Sequence, residues 1–139
     1  MGPKLLIEEN AFIEKVLPAG IVRGLTQAEH DYYRGPFLKE KDRQPIYRFP
    51  NEIPIEGQPA DVWKIVETYH EWLLETGLPK LFLWATPGKI VTEETAAWYM
   101  ERLKNVKGVN VGAGIHDIQE DQPHKMGSEI AGWLDEVEV

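Results

Sequence analysis

Residues 80–113 read KLFLWATPGKIVTEETAAWYMERLKNVKGVNVGA, and the order of patterns in that stretch decides the fold. The opening KLFLWA is a short run without polar alternation, as expected of a strand buried on both faces. TEETAAWYMERLK reads as a helix with Thr92 as its cap, and GVNVGA as a second strand. Beyond it, PHKMGSEIAGWLDEVE predicts a final helix with Met126, Ile130, Trp133, Leu134 and Val137 inward. Strand, helix, strand, helix is a βαβα unit of a parallel sheet. Two parallel strands, each apolar on both sides, do not complete a stable sheet in water. Further strands are therefore expected from another chain or a second copy, rather than unusual cover from the first half.

Upstream the pattern is helical. Residues 4–17, KLLIEENAFIEKVL, carry apolar side chains at helical spacing, and LPAG stops them. Thr26-Gln27-Ala28-Glu29 is a capping-box pattern, opening a helix that Gly35 and Pro36 end. Residues 38–58 are rich in proline and charge and predict mostly loop, with one short helical turn. PADVWKIVETYHEWLLETG is the strongest helix, with Pro59 in its first turn and Gly77 after its end. Val62, Ile65, Val66, Tyr69, Trp72 and Leu73 form its apolar stripe.

At 139 residues the chain has the length of one ordinary domain, and 42% hydrophobic with 27% charged residues is a soluble globular composition. A net charge of −8 without a basic stripe argues against nucleic-acid binding. The apolar runs are too short for a membrane span, and no signal-peptide pattern precedes them. Zero cysteines excludes disulfides and thiolate chemistry, which suits a cytoplasmic location. There are no internal repeats. His30, His70 and His124 are scattered on helical patterns, expected to face solvent, and no metal-ligand spacing joins them. Glu8-Glu9 and Glu93-Glu94 read as solvated helix faces.

The second strand runs into GAGIHDIQED, residues 112–121, which puts His116 just past a strand end among small residues and acids. Together with EENAFIEKVLP, YRGPFL, RFPNEIPIEGQPADV, PKLFLWATPG and GSEIAGWL, this stretch resembles the haloalkane dehalogenases of the α/β-hydrolase superfamily. The likeness is to their C-terminal half and runs from about residue 4 to residue 138. It implies an α/β fold with a helical cap segment, residues 1–78, and the C-terminal βαβα part of the core, residues 79–139. Coelenterazine-oxidising luciferases share the ancestry and much of the pattern, so a luciferase-like monooxygenase is the nearest rival enzyme.

In that family an aspartate displaces halide from an alkyl carbon, and a histidine held by a carboxylate then activates water to hydrolyse the ester. His116 matches the base. The resemblance places the nucleophile, the halide-holding tryptophan and asparagine and the oxyanion-hole loop upstream of this chain. ATPGKIV, one of the places where relatives carry the orienting carboxylate, holds no acid, so that group is expected upstream as well. The chain alone is therefore expected not to turn over. Its implied partners are a small haloalkane, water, the halide product, and a complementary N-terminal chain or second copy, with no cofactor.

Phe12, Val16, Ala19, Gly20, Phe49, Ile53, Lys89 and Ile90 match positions that line the family's cavity or its access tunnel. The plainer reading of the apolar ones is that they pack cap against core, and Lys89 is suited to reaching a tunnel mouth with its amine. Asp117 stands where the family places an aromatic residue. Its carboxylate either favours a protonated His116 and makes the cavity more polar, or points to solvent, or caps the next helix. Glu120 and Asp121 fit a structural role at the start of the last helix, against its positive dipole end. A different class of reading is a non-catalytic piece, such as a split-tag half, a proteolytic fragment or a binding module. Its motive is the start at Met1-Gly2-Pro3 in the middle of the family's cap.

Overall fold

The computed structural model describes residues 2–137. The chain divides into two compact units, one built from residues up to Ala19 with Gly24–His70, the other from Gly20–Arg23 with the chain from Glu71 onward.

The first unit is helical. Lys4–Glu8 and Phe12–Val16 are π-helical stretches, and Leu17–Ala19 (α1) is one further turn, so the unbroken helix expected over residues 4–17 does not form. Asn10 is the cause. At φ +52° it leaves the right-handed region, which asparagine tolerates better than most residues. Leu6, Ala11, Ile13 and Leu17 are the buried apolar residues around this break.

Helix α2 (Gln27–Arg34) begins as its sequence requires: the Thr26 hydroxyl accepts from the Glu29 amide at 3.3 Å, and the Glu29 carboxylate accepts from the Thr26 amide at 2.7 Å. At its other end Arg34 donates through Nε and Nη2 to the two Glu14 oxygens, both at 2.7 Å. The Arg34 hydrogen bond holds the Glu14 carboxyl below its ordinary value. A depressed carboxylate contributes stability above its unfolded pKa and loses it as pH falls through the folded one. Glu14→Gln should therefore flatten the decline in the urea midpoint below pH 4.5, leaving neutral-pH stability lower by at most about 1 kcal/mol. The small size follows from side chains still 31% and 26% exposed. An unchanged acid limb would show that the pair is not linked to folding. His30 is not solvent-facing as expected: it is half-buried, its Nε2–H donates to the Ile13 carbonyl at 2.8 Å, and it lies 3.7 Å from Glu14. His70 is half-buried too, whereas His124 is exposed.

The segment expected to be mostly loop holds a 3-10 turn, Glu40–Arg43, and an eight-residue helix α3, Gln44–Asn51. Pro45 stands in the first turn, where a missing amide costs nothing. Arg43 organises the region. Its guanidinium donates to the carbonyls of Ile7 at 2.6 Å, Phe37 at 2.8 Å, Glu8 at 2.9 Å and Leu38 at 3.1 Å. Helix α4 (Ala60–Glu75) forms over the expected residues. Its stripe is less covered than its pattern predicts: Ile65 and Trp72 are 64% and 57% exposed, while Val62, Val66 and Leu73 are half-buried.

The second unit carries the α/β part: β1 (Lys80–Pro87), α5 (Glu93–Arg102), β2 (Val106–Gly114), the single turn α6 (Ile118–Asp121) and α7 (Pro123–Glu136). Thr92 caps α5 by accepting from the Thr95 amide at 3.2 Å. The strands pair in parallel, Lys80 opposite Val106 and Pro87 opposite Gly114, with one slip of register between Trp84 and Thr86. Lys80 Nζ donates to the carbonyls of Thr76, Leu78 and Lys104 at 2.6–3.0 Å, tying the chain after α4 and after α5 to the start of β1. Among the described residues the sheet has two strands. The expectation of full burial fails for most of β1, whose residues other than Ala85 are half-buried or exposed. On α7, Leu134 is 56% exposed and Ile130 is exposed as well, although both are apolar and expected inward. Two strands and their flanking helices leave few apolar residues buried, namely Ile21, Ala85, Ala96, Leu103 and Val111. No helix among the described residues is long and apolar enough to cross a membrane.

Candidate active site

Because β1 and β2 run parallel, the loops that leave their carboxyl ends lie at one edge of the sheet, where open α/β sheets hold ligands. Two glycines let these loops meet. Gly88 has φ +63°, and a Cβ there would overlap the Val91 carbonyl oxygen. At Gly114 a Cβ would stand 2.7 Å from that of Ala85. With both side chains absent, the Gly88 amide donates to the Gly114 carbonyl at 3.1 Å and the Lys89 amide to the Ile115 carbonyl at 2.8 Å.

His116 follows directly. Its amide and that of Asp117 both donate to the Gly20 carbonyl, at 3.0 and 3.1 Å, so a residue almost a hundred positions earlier fixes the backbone of the turn. The imidazole is exposed, and no hydrogen bond or ion pair from the described residues reaches it. It lines a cavity of about 220 Å³ together with Ala85, Gly88, Ile90, Val91 and Ile115. Larger hollows of about 400 and 510 Å³ lie beside Lys80 and Trp133. Their cationic groups are occupied by structure, since Lys80 is spent on three carbonyls and Lys107 pairs with Glu136 at 2.7 Å. Of these three, the smaller cavity is the one that sets an imidazole beside apolar walls.

A curated haloalkane dehalogenase from Mesorhizobium japonicum is 43% identical over 137 residues, 99% of this chain and 44% of its own length. Another, from Bradyrhizobium diazoefficiens, is 39% identical over 138 residues, again 99% of this chain and 44% of its own. The crystal structure of haloalkane dehalogenase DbeA from Bradyrhizobium elkani matches with a TM-score of 0.94 at 38% identity, covering 96% of this chain and 46% of that one. Along nearly its whole length the chain is similar to part of these haloalkane dehalogenases. It spans less than half the length of the curated dehalogenases it matches, consistent with the C-terminal half of an α/β-hydrolase. No family model matches it.

The residues expected to line a dehalogenase cavity divide between the two units. Gly20, Lys89, Ile90, His116 and Asp117 belong to the second unit, and all but Ile90 are joined through the backbone bonds of the two loops. Gly20 is buried, the Lys89 side chain is exposed, and Ile90 is 69% exposed. Phe12, Val16, Ala19, Phe49 and Ile53 belong to the first unit. There Phe12 is half-buried on its π-helical stretch, Val16 and Ala19 are exposed, Phe49 on α3 is 70% exposed, and Ile53 just beyond α3 is exposed. Asp117 occupies the N-cap position of α6 without a capping side-chain bond, so the capping alternative does not hold.

Glu120 and Asp121 do not open the last helix, which begins at Pro123; they lie on α6. Their carboxylates hold residues 22 and 23 instead. Asp121 accepts from the Val22 and Arg23 amides at 3.0 and 2.9 Å, and Glu120 from Arg23 Nη2 at 2.7 Å. Nothing in the sequence around Arg23 signals a partner 97 residues away.

Proposed function

We propose that this chain is the C-terminal half of a haloalkane dehalogenase, with residues 1–78 as cap and 79–139 as core, and that His116 is its water-activating base. The observation that carries the reading is the His116 turn: an imidazole at the carboxyl edge of a parallel sheet, beside a small apolar cavity, in a chain matched along 99% of its length by a dehalogenase. The reaction runs in two displacements. A carboxylate supplied by the complementary part attacks the carbon bearing halogen; the new O–C bond forms as the C–X bond breaks, and halide leaves with its electron pair. His116 then takes a proton from water, the resulting hydroxide attacks the ester carbonyl, and the imidazolium returns the proton as the alcohol departs. The nucleophile, halide-holding groups and orienting acid belong to the part this chain lacks, so alone it turns nothing over.

The test is to mix the chain with the part of the Mesorhizobium japonicum dehalogenase that it does not match, and to assay bromide release from a bromoalkane. Release from the mixture, and none from either piece, is the expected result. A folded mixture that stays silent beside a working full-length control would overturn the proposal.

A further inference from the structure

We infer that Asp121 is a positioning residue for His116, acting through the segment Gly20–Arg23; its catalytic meaning rests on the function proposed above. The connection is a closed loop of hydrogen bonds within the second unit. Gly20 presents its carbonyl to the His116 and Asp117 amides. Two residues on, the Val22 and Arg23 amides are both spent on Asp121, one on each carboxylate oxygen. The Arg23 guanidinium closes the far side, Nε donating to the Glu120 carbonyl at 2.6 Å and Nη2 to its carboxylate. Between the two attachment points α6 carries the chain from His116 back to Asp121, with the Gln122 amide on the Ile118 carbonyl at 2.8 Å.

The His116 backbone thus hangs from a carbonyl whose own segment is fixed by an acid five residues past the histidine. Charged acceptors on paired amides are the strong member of the hydrogen-bond class, and they set orientation as well as energy. The competing anchor is Ile21, 5% exposed, whose packing would by itself hold the segment in place. Among the described residues no hydrogen bond or ion pair reaches the exposed imidazole, so the accuracy of its placement falls chiefly to the turn's backbone.

Amide hydrogen exchange measured by NMR on the intact chain separates these anchors. Asp121→Ala should speed exchange at His116 and Asp117 by about tenfold, the size expected for losing charge-assisted bonds at an exposed site. Amides bonded within the β1–β2 ladder should keep their rates, and Asp121→Asn should fall between. Unchanged His116 and Asp117 amides would mean that Ile21 holds the segment and the inference is wrong. A uniform rise across the ladder would mean plain destabilisation and would overturn it equally. In the complemented mixture, Asp121→Ala should keep the first equivalent of bromide while slowing later turnover about tenfold; parallel loss of both phases counts against positioning. If the unaltered mixture releases no bromide, the proposed function falls, and the exchange rates still decide the role of Asp121.

Discussion

Substituting His116 with glutamine should lower steady-state bromide release by the complemented enzyme by about 10²–10⁴-fold, the usual contribution of a positioned general base. The first equivalent of bromide should still appear at its normal rate. Alkylation needs the carboxylate nucleophile and the groups that hold halide, none of which touches the imidazole's proton chemistry, whereas ester hydrolysis needs a base next to water. Glutamine keeps a polar side chain of similar length and removes the ability to shuttle a proton. Rapid-quench measurement of bromide, with mass spectrometry of the alkylated partner, reads both phases. Loss of the first equivalent together with turnover would move His116 out of the hydrolytic step. Undiminished turnover would remove it from the reaction altogether. The backbone of the turn is insulated from the change, because Gly20 grips it through amides rather than through the side chain.

Arg43→Ala should lower the unfolding free energy by about 2–3 kcal/mol, measured as a shift in the urea midpoint at constant slope. One guanidinium satisfies the carbonyls of Phe37 and Leu38, just before the 3-10 turn, and those of Ile7 and Glu8 on the first π-helical stretch. Removing it leaves four acceptors to water or to nothing, and two of those bonds are part-buried. Arg43→Lys should recover less than half of the loss, since an ammonium cannot span four carbonyls in the plane that the guanidinium fills. Full rescue by lysine would show that charge, rather than the fork of donors, is what matters at this position.

The elements easiest to read from the chain were those whose signals are local. The Thr26–Glu29 capping box and the Thr92 cap each act within one turn, and both form as their residues require. The βαβα order also emerges from short-range patterns, because strand and helix periods differ within a few residues. Elements that depend on distant contacts carry no such local signal. Asn10 looked like an ordinary helix residue, yet its left-handed backbone breaks the first helix. Residues 44–51 looked like loop because Pro45 and Pro50 are breakers in isolation; the Arg43 bonds to a stretch about 35 residues earlier anchor the turn that leads into that helix. On α4 and α7, apolar spacing marks only what a helix is able to bury. Trp72 and Leu134 remain in water here for want of a covering surface in the described residues.

The same division holds at the site. Sequence alone determined that one histidine follows the second strand within a dehalogenase-like motif, because strand endings, glycines and that motif are all written within ten residues. Only the tertiary structure decided how that histidine is carried: Gly88 against Gly114, the Gly20 carbonyl on two successive amides, and Asp121 on Val22 and Arg23. Hydrogen bonds reach across any separation in sequence once a fold brings their atoms within 3 Å, and residue order carries no mark of which distant donor and acceptor will meet.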